Sequence, residues 1–152
     1  MNLPRVFTVK QSLASHSIED VGSTLHKQLA AEPLLGKIRP GDRVAIALGS
    51  RGINRIDQVA RSAVDHLTSI GASPLIVPAM GSHGGATAEG QRDTLAALGI
   101  TPSSVGCPIE SSMETVALGS CVPALRLYFD TVAGSAELLT VLNRLTPLTR
   151  LV

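Results

Sequence analysis

The chain has 152 residues, 44% of them apolar, and is therefore long enough to bury a core of its own as one folded unit. With a formal net charge of +1 and 2% aromatic residues, it lacks both the basic surface and the stacking rings of a nucleic-acid-binding protein. Its two cysteines, Cys107 and Cys121, lack the CxxC spacing of a zinc site, and no apolar run approaches the ~20 residues of a membrane span. We expect a cytoplasmic protein that binds no metal through its cysteines, no nucleic acid and no membrane.

Two elements are predicted before residue 43. Residues 5–10 alternate in polarity as a short strand does. Ser17 and Asp20 have the spacing of a capping box, and an apolar stripe predicts a helix from there to about Ala31, just before a proline. The residues that follow are rich in glycine and proline and form a connector.

The middle of the chain has the pattern of a strand, a helix and a second strand. Residues 43–48 are apolar after the first position, as in a central strand. Asn54 and Asp57 are candidate caps for the next helix, whose apolar stripe covers 56–67. The second strand covers 75–77, so we expect a βαβ unit with parallel strands.

Beyond this unit the sequence predicts shorter elements. A helix is expected over 87–98, followed by a helical turn that Thr101 caps and Pro102 begins. Glycines and prolines break residues 105–122 into brief strands, and Thr115 to Gly119 is a candidate first arm of a hairpin.

The fold class that these elements predict is α/β, a three-layer, open and mostly parallel sheet with flanking helices. Residues 138–145 supply a further buried strand, while residues 125–134 fit neither a strand nor a helix pattern clearly. The alternative is an α+β arrangement in which residues 105–128 form a separate antiparallel hairpin.

Polar, glycine-rich loops follow the two strands of the βαβ unit, at 49–52 and at 81–85. Since the carboxyl ends of parallel strands meet at one edge, where α/β proteins place ligands, we expect the two loops to converge. Arg51 is suited to bind a carboxylate or phosphate, and His83 to move a proton near neutral pH. We expect both to face one cleft. The alternative leaves Arg51 in solvent and His83 bonded to a neighbouring carbonyl.

Three stretches resemble the N-terminal domain of the lactate racemase family: Gly49-Ser-Arg-Gly-Ile53, Gly81-Ser-His-Gly-Gly-Ala-Thr-Ala-Glu-Gly-Gln91 and Pro108-Ile-Glu-Ser-Ser-Met113. The resemblance implies a nickel-pincer nucleotide cofactor and the racemisation or epimerisation of a small 2-hydroxy acid by hydride transfer. It implies that His83 is one of two histidines that deprotonate the substrate hydroxyl. It also implies that the cofactor and substrate are bound by Ser50, Arg51, Gly52, Gly81, Ser82, Gly84, Gly85 and Thr87.

The end of the chain departs from this family. Where family members have a Lys-Pro-His-Thr stretch with the second catalytic histidine, this sequence has Thr146-Pro147-Leu148-Thr149, and Leu148 cannot transfer a proton. The lysine that tethers the pincer ring and a nickel-ligating histidine would lie beyond Val152. The resemblance therefore implies a domain over 1–152 that is incomplete at its C-terminal end and inactive alone.

Such a domain would need a separate chain carrying the missing part. It would also expose an apolar sheet edge and tend to associate. The alternative is a non-catalytic remnant that binds a small anion or a partner chain.

Overall fold

The structure is a computed structural model that describes residues 8, 10, 18–31, 33, 35–122 and 125–143. The strand predicted over 5–10 lies outside these residues apart from positions 8 and 10, and so do Ser17 and Leu148. The described residues form five helices and five strands: α1 (Val21–Ala30), β1 (Arg43–Leu48), α2 (Ile56–Ser69), β2 (Ser73–Pro78), α3 (Ala88–Ala97), α4 (Pro102–Val105), β3 (Thr115–Val122), β4 (Leu125–Asp130), α5 (Thr131–Gly134) and β5 (Leu138–Leu142). None of the described helices combines the length and the apolar character that a membrane span needs.

A parallel sheet in the order β2-β1-β5 forms the centre of the fold. Ile46 of β1 lies opposite Ile76 of β2 on one side and Thr140 of β5 on the other. Ile109 adds a single parallel bridge to Ile76 at the outer side of β2. The predicted parallel pairing of β1 and β2 is confirmed, and the fold class is α/β.

The larger core lies on one face of the sheet. The alternate β1 residues Val44, Ile46 and Leu48 are fully buried there against the apolar stripe of α2. Both crossovers, from β1 to β2 and from β2 to Ile109, move in the same direction along the sheet. Because such crossovers are right-handed, α2 and α3 lie on the same side.

The opposite face is more thinly covered. Ala45, Leu75 and Val77 pack there against Ala133 of α5 and against Phe129. Helices therefore flank both faces, as predicted, but the second layer contains a helix of only four residues.

The caps of the first two helices differ from the predictions. Asp20 caps α1, accepting a hydrogen bond from the Ser23 amide at 2.9 Å, so the predicted start at Ser17 is wrong. Arg55 occupies the N-cap of α2 with a φ of 56°, and its side chain makes no capping hydrogen bond. The predicted cap at Asn54 is wrong because that residue lies one position too early.

Thr87, the first residue of the predicted helix, caps α3, and the predicted cap of α4 at Thr101 is confirmed. Thr87 accepts a hydrogen bond from the Gly90 amide at 3.1 Å. Thr101 and Ser104 bond each other's backbone amides reciprocally, with Pro102 at the first helical position. These caps fix where the chain re-enters the helical layer after the loop that contains His83.

β3 and β4 form a separate antiparallel hairpin outside the parallel sheet. The hairpin of the α+β alternative is thus present, displaced to 115–130, beside the predicted parallel sheet. The ambiguous residues 125–134 divide into β4 and α5 because the Asp130 carboxylate caps α5 through the Ala133 amide, at 2.8 Å. β5 ends at Leu142, and residues 144–145 of the predicted strand lie outside the described residues.

Candidate functional site

The carboxyl ends of β1, β2 and β5 meet at one edge of the sheet. The Gly49 amide donates to the Leu142 carbonyl at 3.1 Å, and the Ala79 amide donates to the Leu48 carbonyl at 2.8 Å. The loop after β1 is therefore held between the ends of its two neighbours. This is the edge where the sequence predicts a ligand site.

Ser50 and His83 are joined across this edge. The distance from Ser50 Oγ to His83 Nδ1 is 2.5 Å, although the two residues are 33 positions apart. Both are half-buried. Either the hydroxyl donates to a bare Nδ1, or Nδ1–H donates to the hydroxyl oxygen and leaves Nε2 as a proton acceptor. The predicted convergence of the two loops is confirmed for this pair.

A 3-10 turn over His83–Ala86 orients the imidazole. Gly84 and Gly85 within it have φ values of 64° and 67°, in the left-handed region that glycine tolerates best. The backbone amide of His83 donates to the Met80 carbonyl at 3.3 Å. The chain thus turns sharply between β2 and α3 and leaves the ring beside the end of β1.

Gly84 has a packing role. A Cβ atom there would collide with the backbone of Gly90 in the first turn of α3, and a Cβ at Gly90 would collide with Gly84 in return. The loop can lie against the helix only because both residues are glycine. A Cβ at Gly81 or Gly85 would meet no atom within 4 Å, so the backbone there is open to a ligand.

Two side chains tie this loop to α3. Thr87 donates its hydroxyl hydrogen to the Gly84 carbonyl at 3.1 Å in addition to capping the helix. Gln91, which is buried, donates from Nε2 to the Gly81 carbonyl at 2.9 Å. The geometry therefore gives Thr87 a structural task. Gln91 belongs to the site's support and was missed, because a glutamine within a helix gives no sequence pattern of its own.

Arg51, Gly52 and Ser82 lie on the exposed side of the two loops. Within the described part of the chain, the Arg51 guanidinium has no hydrogen-bond or ion-pair partner. It is available to an anion from solvent. That Arg51 and His83 face one cleft stays a prediction, since no contact joins their side chains.

Asn143 and Ser111 are two further polar residues near this edge. The Asn143 amide covers Gly49 so closely that a Cβ there would lie 2.8 Å from Oδ1, which explains the glycine. Ser111 follows Ile109 and has a buried hydroxyl without a hydrogen-bond partner among the described residues. Neither residue was predicted as part of the site. The sequence pattern placed Asn143 within the strand 138–145, and Ser111 lies in the stretch 108–113, whose residues were given no individual roles.

The other described histidines, His26 and His66, lie on the helical layer. Their Nδ1 atoms are 3.0 Å apart, and their rings cross at 79°. Burial, followed by the proximity of His26, lowers the pKa of His66. They pair with each other and contribute nothing to the strand ends.

A cavity of about 520 Å³ lies beside His66, between the ends of α1 and α2. Because α2 runs back from the carboxyl end of β1, this cavity is at the opposite end of the sheet from His83. Its lining is mainly apolar, and the Nδ1 atom of its one imidazole is taken by His26. We place the candidate site at the loops, where the polar groups converge, and not in this cavity.

Metal-ligating residues are scattered in the described part of the chain, which has no group of three or more His, Cys, Asp or Glu side chains placed to hold an ion. Cys107 is a free thiol, and burial raises its pKa to about 11. Comparisons of the chain with protein-family models, curated proteins and solved structures gave no match.

Proposed function

We propose that the chain is the N-terminal domain of a lactate racemase-like isomerase, in which His83 moves the hydroxyl proton of a small 2-hydroxy acid. The observation that carries the proposal is the hydrogen bond between Ser50 and His83 at the carboxyl ends of β1 and β2. A half-buried imidazole that is fixed on one nitrogen can exchange a proton with a ligand through the other.

Ser50 suits both protonation states of the ring. In the neutral form with hydrogen on Nδ1, the Ser50 oxygen accepts that hydrogen and leaves the Nε2 lone pair for the substrate hydroxyl. After proton transfer the imidazolium still donates from Nδ1 to the same oxygen. The ring therefore needs no reorientation during the reaction, which keeps the proton acceptor in place.

Arg51 is the group in these loops that we expect to bind the substrate carboxylate. Its guanidinium is always charged, presents a planar pair of donors and is exposed. No described residue competes for it. Its position directly after Ser50 places it on the loop that orients His83.

The described residues fit the nickel-pincer nucleotide only in part. The open backbone at Gly81 and Gly85 leaves room for a nucleotide, whereas no metal-ligand cluster occurs among the described residues. When bound, the cofactor would accept the hydride from the substrate carbon. We propose that the nickel ligands and the second base, which the described residues do not supply, come from a partner chain that joins this domain in the cytoplasm.

The isolated chain is expected not to interconvert D- and L-lactate, even with the cofactor added. Interconversion needs a base on each face of the reacting carbon, and His83 is the one histidine that the described residues bring to this edge. Loss of one acid–base group typically slows a reaction by ~10²–10⁴. Chiral chromatography measures both enantiomers. Interconversion by the chain alone, abolished in His83→Ala, would contradict the proposed division between two chains.

The second candidate is a non-catalytic remnant that binds a small anion or a partner chain, and the exposed Arg51 favours it. Titration of D- or L-lactate followed by NMR separates the two. The racemase proposal expects shifts at both Arg51 and His83, lost in Arg51→Gln but kept in the control Arg92→Gln on α3. Shifts confined to Arg51, and equal for acetate, would favour simple anion binding; no shifts at all would refute the binding of a 2-hydroxy acid or another small carboxylate at this edge.

A further inference from the structure

The hairpin of β3 and β4 exposes an unusual amount of apolar surface. Five of its large apolar side chains are between 38% and 63% exposed: Val116, Leu118, Leu125, Leu127 and Tyr128. Within the described part of the chain no further strand joins this hairpin, so its backbone is unpaired on both outer edges there. Two-stranded sheets are marginal alone and gain stability when further strands are added.

The two edges differ in their ability to pair. β3 contains two extra residues relative to β4: the register passes from Ala117 to Gly119 and from Ser120 to Val122 while β4 advances by one position each time. Such bulges bend a strand and interrupt its edge. β4 has no extra residue, so its edge is the regular one.

The charges along β4 are self-complementary. Arg126 and Asp130 are its only charged residues and lie at equal distances on either side of Tyr128, on the same face of the strand. We propose that two copies of the chain associate by antiparallel pairing of their β4 strands about a two-fold axis at Tyr128. In that register each Arg126 lies opposite Asp130 of the second copy, and Leu127 lies opposite Phe129.

Registers that place like charges opposite each other are unfavourable. An axis at Arg126 or at Asp130 would place that charge opposite its own copy, and parallel in-register pairing would do so for both. Arg126 has no hydrogen-bond or ion-pair partner within the described residues. Asp130 caps α5 through one carboxylate oxygen, Oδ1. Its second oxygen, Oδ2, can therefore accept a hydrogen bond from the Arg126 guanidinium of the second copy. The two-fold axis makes this contact between Arg126 and Asp130 occur twice in the dimer.

Charge reversal tests this register. Arg126→Glu alone and Asp130→Lys alone each create two like-charge contacts in the homodimer. Each variant is expected to raise the dimer dissociation constant by about tenfold or more in sedimentation equilibrium. An equimolar mixture restores two opposite-charge contacts and is expected to form heterodimers as well as the unmodified chain forms its dimer. Arg92→Glu, on α3, is the control that leaves association unchanged.

A second measurement covers the case in which Asp130→Lys fails to fold because α5 loses its cap. Tyr128→Cys places two thiols across the axis, and oxidation by dissolved oxygen is expected to join them in a disulfide between the copies, which mass spectrometry locates. Leu118→Cys is as exposed but lies on the bulged strand, and is expected to remain uncrosslinked. A monomeric chain at high concentration, unchanged association of Arg126→Glu, or preferential cross-linking at position 118 would each overturn the proposal.

Discussion

Gly84 and Gly85 both have a left-handed backbone, but only Gly84 lies against another part of the chain. Alanine substitutions at the two positions therefore distinguish the cost of the backbone conformation from the cost of a steric clash. Gly85→Ala is expected to lower the free energy of unfolding by about 1–2 kcal/mol, from the conformation alone. Gly84→Ala should lose roughly a further 1–3 kcal/mol, because its Cβ meets the Gly90 backbone. Urea unfolding monitored by circular dichroism measures both, and equal losses would mean that the loop does not lie against α3 as described.

The bond between Ser50 and His83 predicts a fixed tautomer of the imidazole. Nitrogen-15 NMR of the His83 ring distinguishes hydrogen on Nδ1 from hydrogen on Nε2. One tautomer is expected to dominate in the unmodified chain and to give way to a mixture in Ser50→Ala, because the hydrogen bond on one nitrogen selects the form. Ser82→Ala, on the same loop but exposed, is the control. An unchanged tautomer in Ser50→Ala would remove Ser50 from the site.

Cys107 is expected to resist alkylation in the folded chain. Its thiol is buried, and a pKa of about 11 leaves very little thiolate near neutral pH. Labelling with iodoacetamide, located by mass spectrometry so that Cys121 is scored separately, should be slow in buffer and fast in urea. Rapid labelling of Cys107 in buffer would show that the helical layer above it opens readily.

Single residues show where sequence reasoning succeeds at the candidate site. His83 and Ser50 were found because each follows a strand whose apolar residues are unmistakable, and parallel pairing brings such positions together. Asn143 and Gln91 were not found, since their roles depend on atoms that distant parts of the chain bring close. Thr87 illustrates a third case: its binding of cofactor or substrate stays a prediction, and its observed bonds are those of a helix cap.

At the scale of elements, α1 is attached to α2 through the pair of histidines. The pKa of His66 is lowered by burial and by His26, so the unfolded chain binds a proton more readily than the folded one. The contribution of this pair to stability is therefore present above the ordinary histidine pKa of 6.5 and is lost as the pH falls below it.

Unfolding by urea at a series of pH values between neutral and about pH 5 measures this dependence. The free energy of unfolding is expected to fall towards the acid side, and less steeply in His26→Gln, which removes the second charge but leaves His66 buried. A curve for His26→Gln parallel to that of the unmodified chain would show that repulsion within the pair is unimportant.

The elements that the sequence predicts well are those with a strong apolar period. β1, α2 and β2 were placed to within about two residues because each has a continuous apolar run or stripe. The cap of α2 was misplaced because Arg55 adopts a left-handed conformation that residue type disfavours. The boundary between β4 and α5 depends on the bond of one carboxylate to the backbone, which no periodicity reveals.

For the whole molecule, one face of the sheet is covered more completely than the other. Apolar residues on the two faces are therefore expected to contribute unequally to the free energy of unfolding. Ile46→Ala removes buried volume between the sheet and α2 and is expected to cost about 2–5 kcal/mol of unfolding free energy. Val141→Ala, on an edge strand and 60% exposed, should change it by no more than about 0.5 kcal/mol. Chemical denaturation of both variants checks this, and a loss at Val141 close to that at Ile46 would mean that the second face is covered in solution.

The apolar composition of the chain did not predict that the layer containing α5 would be so thin. Residues 138–142 are as apolar as a central strand, yet β5 lies at an edge with alternate side chains in solvent. The reason is topological: the chain between Ile109 and β5 forms the separate hairpin, so among the described residues that face is covered mainly by α5 and Phe129. An aliphatic sequence of this kind indicates burial, but it does not say whether the covering layer comes from the same chain.

The central position of β1 has a consequence for synthesis on the ribosome. One of its neighbours, β2, follows it closely, whereas the other, β5, is completed 64 residues after β2 ends. At a synthesis rate of roughly 5–20 residues per second, the second edge of β1 stays unpaired for about 3–13 s after β2 is complete. During that interval a nearly uncharged strand is open on one side within a growing polypeptide. Nascent chains that pause before residue 138 are therefore the form of this protein most in need of a chaperone.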